Sequence, residues 1–114
     1  MAGAYVPDRG DIVWLEFDPR TGHEQAGHRP AFVVSPRSYN RKVGLALFCP
    51  ITSRIKGYPF EVPLPDQGRT RGAILSDQLK SLDWKARRAA RFDAAPDEVV
   101  REVTARILAL VDPR

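Results

Sequence analysis

The chain has little cysteine, little histidine and no long apolar run, and each shortage narrows what it can be. A single cysteine, Cys49, in 114 residues allows no intrachain disulfide and no cysteine-based zinc cluster, so a reducing compartment is the simplest expectation. The longest apolar stretches fall far short of the ~18 residues of a membrane span. The start, Met1-Ala2-Gly3-Ala4-Tyr5, lacks the charged-then-apolar pattern of a secretory leader. A cytoplasmic protein with no membrane partner is expected. Internal repeats and low-complexity tracts are absent too, so residues 1–114 read as one domain. That length suits one hydrophobic core and is too short for two. A monomer so small leaves much surface uncovered, and a dimer is a natural remedy.

What is abundant is positive charge, and it is segregated. The net charge is +4, yet residues 1–30 and 92–114 are acidic on balance. The middle is basic. Arg37, Arg41, Lys42, Arg54 and Lys56 stand against Glu61 alone, and Arg69, Arg71, Lys80, Lys85, Arg87, Arg88 and Arg91 against Asp77 and Asp83. A basic middle between acidic ends suits a polyanion, most simply nucleic acid, although a solvated surface reads the same way from charge alone.

Short β-rich runs punctuated by Gly and Pro dominate the pattern. Strands are expected at 11–17, 31–35, 45–49, 60–64 and 73–76, with a weaker one at 89–92. Pro36 and Pro50 end the second and third, and Pro63 marks the fourth as an edge or a bulge. Together these describe a small antiparallel sheet curling into a partial barrel. Residues 39–42 suit a turn or short helix. At the C-terminus Pro96 at the first helical position and Asp97 and Glu98 in the first turn start a helix. Val99, Val100, Val103, Ile107, Leu110 and Val111 then form its packing face.

The connection from residue 18 to residue 30 is the most informative stretch. Loops this long without structure of their own are often functional. It holds both histidines, His23 and His28, with Glu24, Gln25 and Arg29, and glycines at 22 and 27 that permit the turns needed for convergence. Histidine, glutamate and arginine are the parts of a metal-free phosphodiester site, with groups to move protons and a cation for the phosphorane. A metal site from His23, Glu24 and His28 matches no helical ligand spacing, and neither metal nor cofactor is expected. The bland alternative is a surface loop in which Glu24 and Arg29 simply pair.

In their order these residues resemble a known family. Gly10-Asp11-Ile12-Val13-Trp14, Phe17-Asp18-Pro19, Gly22-His23-Glu24-Gln25-Ala26-Gly27-His28-Arg29-Pro30 and Val33-Val34-Ser35-Pro36 look like the opening signature of MazF/PemK toxins. Pro50-Ile51-Thr52-Ser53, Lys56-Gly57-Tyr58-Pro59-Phe60-Glu61-Val62 and Ser76-Asp77-Gln78-Leu79-Lys80-Ser81 resemble the later blocks. The resemblance covers roughly residues 5–110 and leaves residues 65–70 as the least constrained stretch.

It implies a mainly β fold with α, a small SH3-like antiparallel β-barrel (CcdB/PemK-like) with a C-terminal packing helix. It also implies a homodimeric, sequence-specific endoribonuclease toxin needing no metal. Such an enzyme cleaves single-stranded RNA, chiefly mRNA, to 2′,3′-cyclic phosphate and 5′-hydroxyl ends, and a labile MazE-like antitoxin with an acidic segment silences it. By the same resemblance Arg29 and Thr52 carry the chemistry, and Glu24 and His28 lie beside the RNA.

Physical roles follow as expectations. Arg29 clamps the phosphorane through its guanidinium fork, and Thr52 donates to the same oxygens. Glu24 or His28 is the base, and Arg29 or His28 the acid. Gln25, Asp77 and Gln78 suit base edges and Phe17 a stacked base, while Ser53, Lys56 and Lys80 contact the strand. Phe17 and Asp77 also have structural readings, as a core aromatic and a turn residue. The alternatives to the nuclease are a non-catalytic CcdB-like gyrase poison and an SH3-like binding module.

Overall fold

The computed structural model describes residues 4–16, 28–66 and 68–114. Phe17, His23, Glu24 and Gln25 lie outside them. The elements run β1 (Asp11–Glu16), β2 (His28–Val33), α1 (Arg37–Val43), β3 (Ala46–Thr52), β4 (Glu61–Pro63), β5 (Ala73–Leu75), β6 (Lys80–Leu82), β7 (Ala90–Ala94) and α2 (Asp97–Val111). All strand pairs are antiparallel. Their order is β4-β5-β3-β2-β1-β7, with β6 also beside β3. Among the described residues nothing pairs β4 with β7, so the curled sheet is open rather than closed into a barrel.

Period-two alternation gives the sheet two apolar faces. On one lie Ile12, Phe32, Cys49, Ile51, Val62 and Ile74, covered by Val99 and Val103 of α2. On the other lie Val13, Leu15, Ala31, Val33, Ala46 and Phe48, against Tyr5, Leu82, Trp84 and Ala89. Each large aliphatic or aromatic side chain so buried contributes about 1.5–3 kcal/mol. A fully buried Asn40 ties the chain's start to α1. It accepts from Ser35 Oγ at 2.6 Å and donates to the carbonyls of Pro7 and Ser35 at 2.8 and 3.0 Å.

Several sequence expectations need correction. Residues 28–30 belong to β2 and not to the preceding loop, because they pair with Glu16, Leu15 and Trp14 of β1. Pro30 is tolerated there because the β2–β3 pairing begins only at Ala31, so its missing N–H removes no ladder bond on that side. Pro50 does not end the third strand. β3 changes its second neighbour along its length, pairing with β6 through residues 46–48 and with β5 through 51–52. Pro50 sits in the gap between them, where no donor is required.

β6, Lys80-Ser81-Leu82, is an additional strand, and α1 spans the predicted turn or short helix. Pro63 does lie on an edge strand, β4. Pro96 is the N-cap of α2 and not its first helical residue. Leu110 and Val111 are exposed although both fall near the Val99–Val103–Ile107 stripe, so the helix outruns the sheet beneath it. No helix of the described residues is long and apolar enough to cross a membrane.

Candidate nucleic-acid interface

The fork in β3 creates the site. Where β5 and β6 part from the strand, a cleft of about 750 Å³ opens, lined by His28, Arg29, Pro30, Pro50, Ile51, Thr52, Ser53, Arg54, Arg71, Leu75, Gln78 and Lys80. A smaller cavity of about 240 Å³ adjoins it, sharing Thr52, Arg54, Leu75 and Gln78 and adding Lys56, Tyr58 and Glu61.

Register explains why these residues meet. β2 and β3 pair Ala31 with Pro50 and Val33 with Phe48. Extending that register two residues sets Arg29 opposite Thr52, on the face that carries Ala31, Val33, Ala46 and Phe48. Lys80 joins the same face opposite Phe48, and Ala73 faces Thr52, which brings Leu75 and Arg71 to the cleft by alternation. The helix α2 covers the other face. One face of β3 therefore packs under the helix, while the other carries the second core at Ala46 and Phe48 and reaches the cleft at Pro50 and Thr52.

Four cations, Arg29, Arg54, Arg71 and Lys80, line the main cleft, and its described lining holds no carboxylate. A phosphate entering it meets converging positive charge in a partly desolvated groove. Among the described residues the Arg29 side chain has no hydrogen-bond or ion-pair partner, so its fork is available. Thr52 Oγ1 accepts the Arg54 N–H at 3.0 Å, which fixes the side chain and leaves the hydroxyl proton to be donated. Gly72 permits this approach. At φ +113° its missing side chain makes room for the Thr52 carbonyl oxygen, which a Cβ would meet at 2.1 Å.

The loop between β3 and β4 is held by a buried carboxylate. Glu61 accepts the Lys56 N–H at 3.0 Å and the Gly57 N–H at 2.7 Å, with Gly57 in the left-handed region at φ +83°. From α2, Arg106 donates to the Pro59 carbonyl and pairs with Glu102 at 3.2 Å. Tyr58 Oη donates to Asp77 Oδ1 at 2.8 Å, and that bond, reinforced by burial and the nearby negative charge, raises the phenol above its ordinary range.

Of the expected site residues, Arg29, Thr52, Ser53, Gln78 and Lys80 share the main cleft and Lys56 lines the adjoining cavity. His28 touches the cleft wall, but its ring is tilted against Trp14, centroids 5.2 Å apart, and Trp14 stacks on Phe92 at 4.7 Å. Strand alternation sends the neighbouring Arg29 to the opposite face. Asp77 lines neither cavity and is engaged by Tyr58. Phe17, Glu24 and Gln25 fall outside the described residues.

The sequence reading did not single out Arg54, Arg71 or Tyr58. Arg54 follows the Thr52-Ser53 block by one residue, and Tyr58 sits inside the Lys56–Glu61 block; both were in view. Only the β5 pairing finds Arg71. The basic middle is not one continuous track either: Arg37 pairs with Asp8 at 3.8 Å and Arg91 with Asp11 at 3.2 Å, and neither lines the cleft.

Comparison with known proteins agrees with this geometry. Residues 8–111 match the model of the PemK-like, MazF-like toxin of type II toxin-antitoxin systems. The chain is 49% identical over 111 residues to the endoribonuclease toxin MazF of Escherichia coli K12, covering 97% of this chain and 99% of that one. It is 43% identical to the endoribonuclease toxin ChpB of the same strain, over 92% and 94% of the two chains. Crystal structures of MazF and of MazE–MazF from Deinococcus radiodurans superpose with a TM-score of 0.85 each, at 51% and 46% identity. Both cover 95% of this chain, and 98% and 97% of theirs. The fold, the cation-lined cleft and these matches together show that the chain belongs to the PemK-like, MazF-like toxins of type II toxin-antitoxin systems.

Proposed function

We propose that this chain is a toxin endoribonuclease, one domain over residues 1–114, that cuts single-stranded RNA, chiefly mRNA, at specific sequences and arrests growth by stopping translation. The observation that carries the reading is that Arg29 and Thr52 line one cleft together, among four cations. The similarity to MazF and ChpB, both named endoribonuclease toxins, supports it. A gyrase poison or a plain binding module has no need of this arrangement.

The reaction is transesterification. The RNA 2′-hydroxyl attacks the adjacent phosphorus, the 2′-O–P bond forms, and the P–O bond to the 5′-oxygen breaks. The proton lost by the 2′-oxygen is balanced by one gained at the leaving oxygen, leaving a 2′,3′-cyclic phosphate and a 5′-hydroxyl. Arg29 binds two oxygens of the pentacoordinate phosphorane, and the Thr52 hydroxyl donates to the same non-bridging oxygens. Arg54, Arg71 and Lys80 add positive charge without a metal, and Lys56 holds the strand in the adjoining cavity. Ser53 and Gln78 offer polar contacts to the RNA along the cleft wall.

Glu24 and His28 are the base candidates, and His28 and Arg29 the acid candidates. The His28 ring, tilted against Trp14, lies at the cleft wall. Phe17, Gln25 and Asp77 complete the proposed RNA-binding set, Asp77 through Tyr58.

The chain acts in the cytoplasm as a homodimer. A MazE-like antitoxin bearing an acidic segment neutralises it by occupying the basic cleft; the Deinococcus relative is crystallised with MazE.

The test is incubation of purified protein with a long RNA in EDTA. Site-specific cleavage is expected, as is its complete loss when the nucleotide 5′ to the cut carries a 2′-deoxyribose. No cleavage, or continued cleavage of the deoxy-substituted RNA, overturns the reading.

A further inference from the structure

We infer that Tyr58 and Asp77 form a positioning pair that sets the width of the RNA groove, and that Asp77 acts through Tyr58 and not by reading a base itself. The inference rests on the nuclease reading above. The groove beside Thr52 has two separate walls, the 53–60 loop with Arg54 and Lys56, and the β5–β6 turn with Gln78. They meet at their base, where the Ser76 N–H and Oγ donate to the Phe60 carbonyl at 3.0 and 2.5 Å and Leu75 pairs with Glu61. Farther out, among the described residues, the Tyr58 Oη–Asp77 Oδ1 bond at 2.8 Å is the bond between two side chains that joins them.

The loop side is already rigid. Glu61 holds the Lys56 and Gly57 N–H groups, and Arg106 of α2 holds the Pro59 carbonyl. Tyr58, flanked by these anchors, therefore presents its hydroxyl from a fixed base. The turn side carries Gln78, whose N–H donates to the Leu75 carbonyl at 3.1 Å in a tight turn. Fastening Asp77 to Tyr58 thus adds an outer tie that holds Gln78 relative to Lys56, and both line the cavity of about 240 Å³. A cavity that size takes part of one nucleotide flanking the scissile phosphate, with Lys56 and Arg54 for its phosphate. The bond is solvent-accessible, so it adds little to global stability, and its loss leaves the protein folded with a looser groove.

The experiment compares Tyr58→Phe, Asp77→Ala, the double variant and Asp77→Asn in steady-state cleavage of one defined RNA, with thermal melts alongside. Tyr58→Phe and Asp77→Ala are expected to raise KM about three- to tenfold, the range of one lost hydrogen bond, with kcat nearly constant. The double variant should be no worse than either single one. Asp77→Asn keeps an acceptor oxygen for the phenol and should stay within about twofold of the parent. Ultraviolet titration reads the tie without RNA: in Asp77→Ala one of the three tyrosines should ionise at lower pH than in the parent protein. A changed cleavage motif in Asp77→Asn with Tyr58→Phe unaffected, or additive losses in the double variant, overturns the proposal. An inactive parent protein instead refutes the nuclease reading and leaves the titration result standing.

Discussion

Replacing Gly72 with alanine should damage both the fold and the site, and the structure says by how much. Gly72 adopts φ +113°, and a Cβ there would lie 2.1 Å from the Thr52 carbonyl oxygen and 3.0 Å from its carbonyl carbon. Both are backbone atoms of β3, so neither can swing aside as a flexible side chain would. Relief to an ordinary contact requires more than 1 Å of strand movement. The backbone strain alone costs on the order of 1–3 kcal/mol.

The movement also opens the Ala73–Thr52 pairing and loosens the Gly72 carbonyl's bond to the Leu64 N–H at 2.9 Å, at roughly 1 kcal/mol for each bond lost. A total near 3–5 kcal/mol is a large share of the 5–15 kcal/mol that holds a typical domain together. Thr52 is displaced with its strand, and a misplacement of about 1 Å can cost ~10²-fold in rate. Gly44→Ala is the control. Gly44 also has positive φ, +82°, but nothing lies within 4 Å of its would-be Cβ, so it should lose only about 1 kcal/mol and keep full activity. Urea unfolding measures the first effect, and RNA cleavage per folded molecule the second. Equal stabilities for the two variants, or undiminished cleavage by Gly72→Ala, would refute the steric reasoning.

Arg29→Ala should abolish RNA cleavage with a melting temperature close to the parent's, because its exposed side chain has no partner among the described residues; retained cleavage removes its assigned role. Asn40→Leu should lower stability by about 2–4 kcal/mol in urea titrations, since it strands Ser35 Oγ and two buried carbonyls; a change under 1 kcal/mol would contradict the hub assigned to it. Burial, with a smaller contribution from Asp77, pushes the Cys49 thiol up to about 12. The folded state therefore favours the neutral thiol, and stability should hold below pH 9 and fall as pH rises from there toward 12. At pH 8 a thiol reagent should label Cys49 only upon unfolding, and prompt labelling of the native protein would show the strand to be accessible.

The parts of the fold that were legible in the sequence are those whose burial writes a pattern. β1 is β-branched and apolar, β3 opens on an apolar run, and the Val99–Val103–Ile107 stripe announces α2. β6 was not legible, because Lys80-Ser81-Leu82 is mostly exposed and short, and its place is set by a partner strand. Pro30 and Pro50 were misleading for the same reason. A proline ends a strand only where its N–H is needed, and that depends on the neighbours. The site divides likewise. Composition marked residues 18–30 and the basic middle, and resemblance marked Arg29 and Thr52. Neither could say that these two line one cleft, that the His28 ring tilts against Trp14, or that Tyr58 claims Asp77. Those are facts of pairing between segments, invisible along the chain.

The shared face of β2 and β3 has one further consequence. Because alternate residues at the end of β3 serve the helix-covered core and the cleft, a slip of one position between β2 and β3 would turn Ile51 outward and Thr52 inward together. A mispaired chain would thus lose its core and its cutting edge at the same step. Harm to the host should therefore report correct strand pairing, and survival of cells expressing random variants becomes a selection for faults in this sheet, legible position by position.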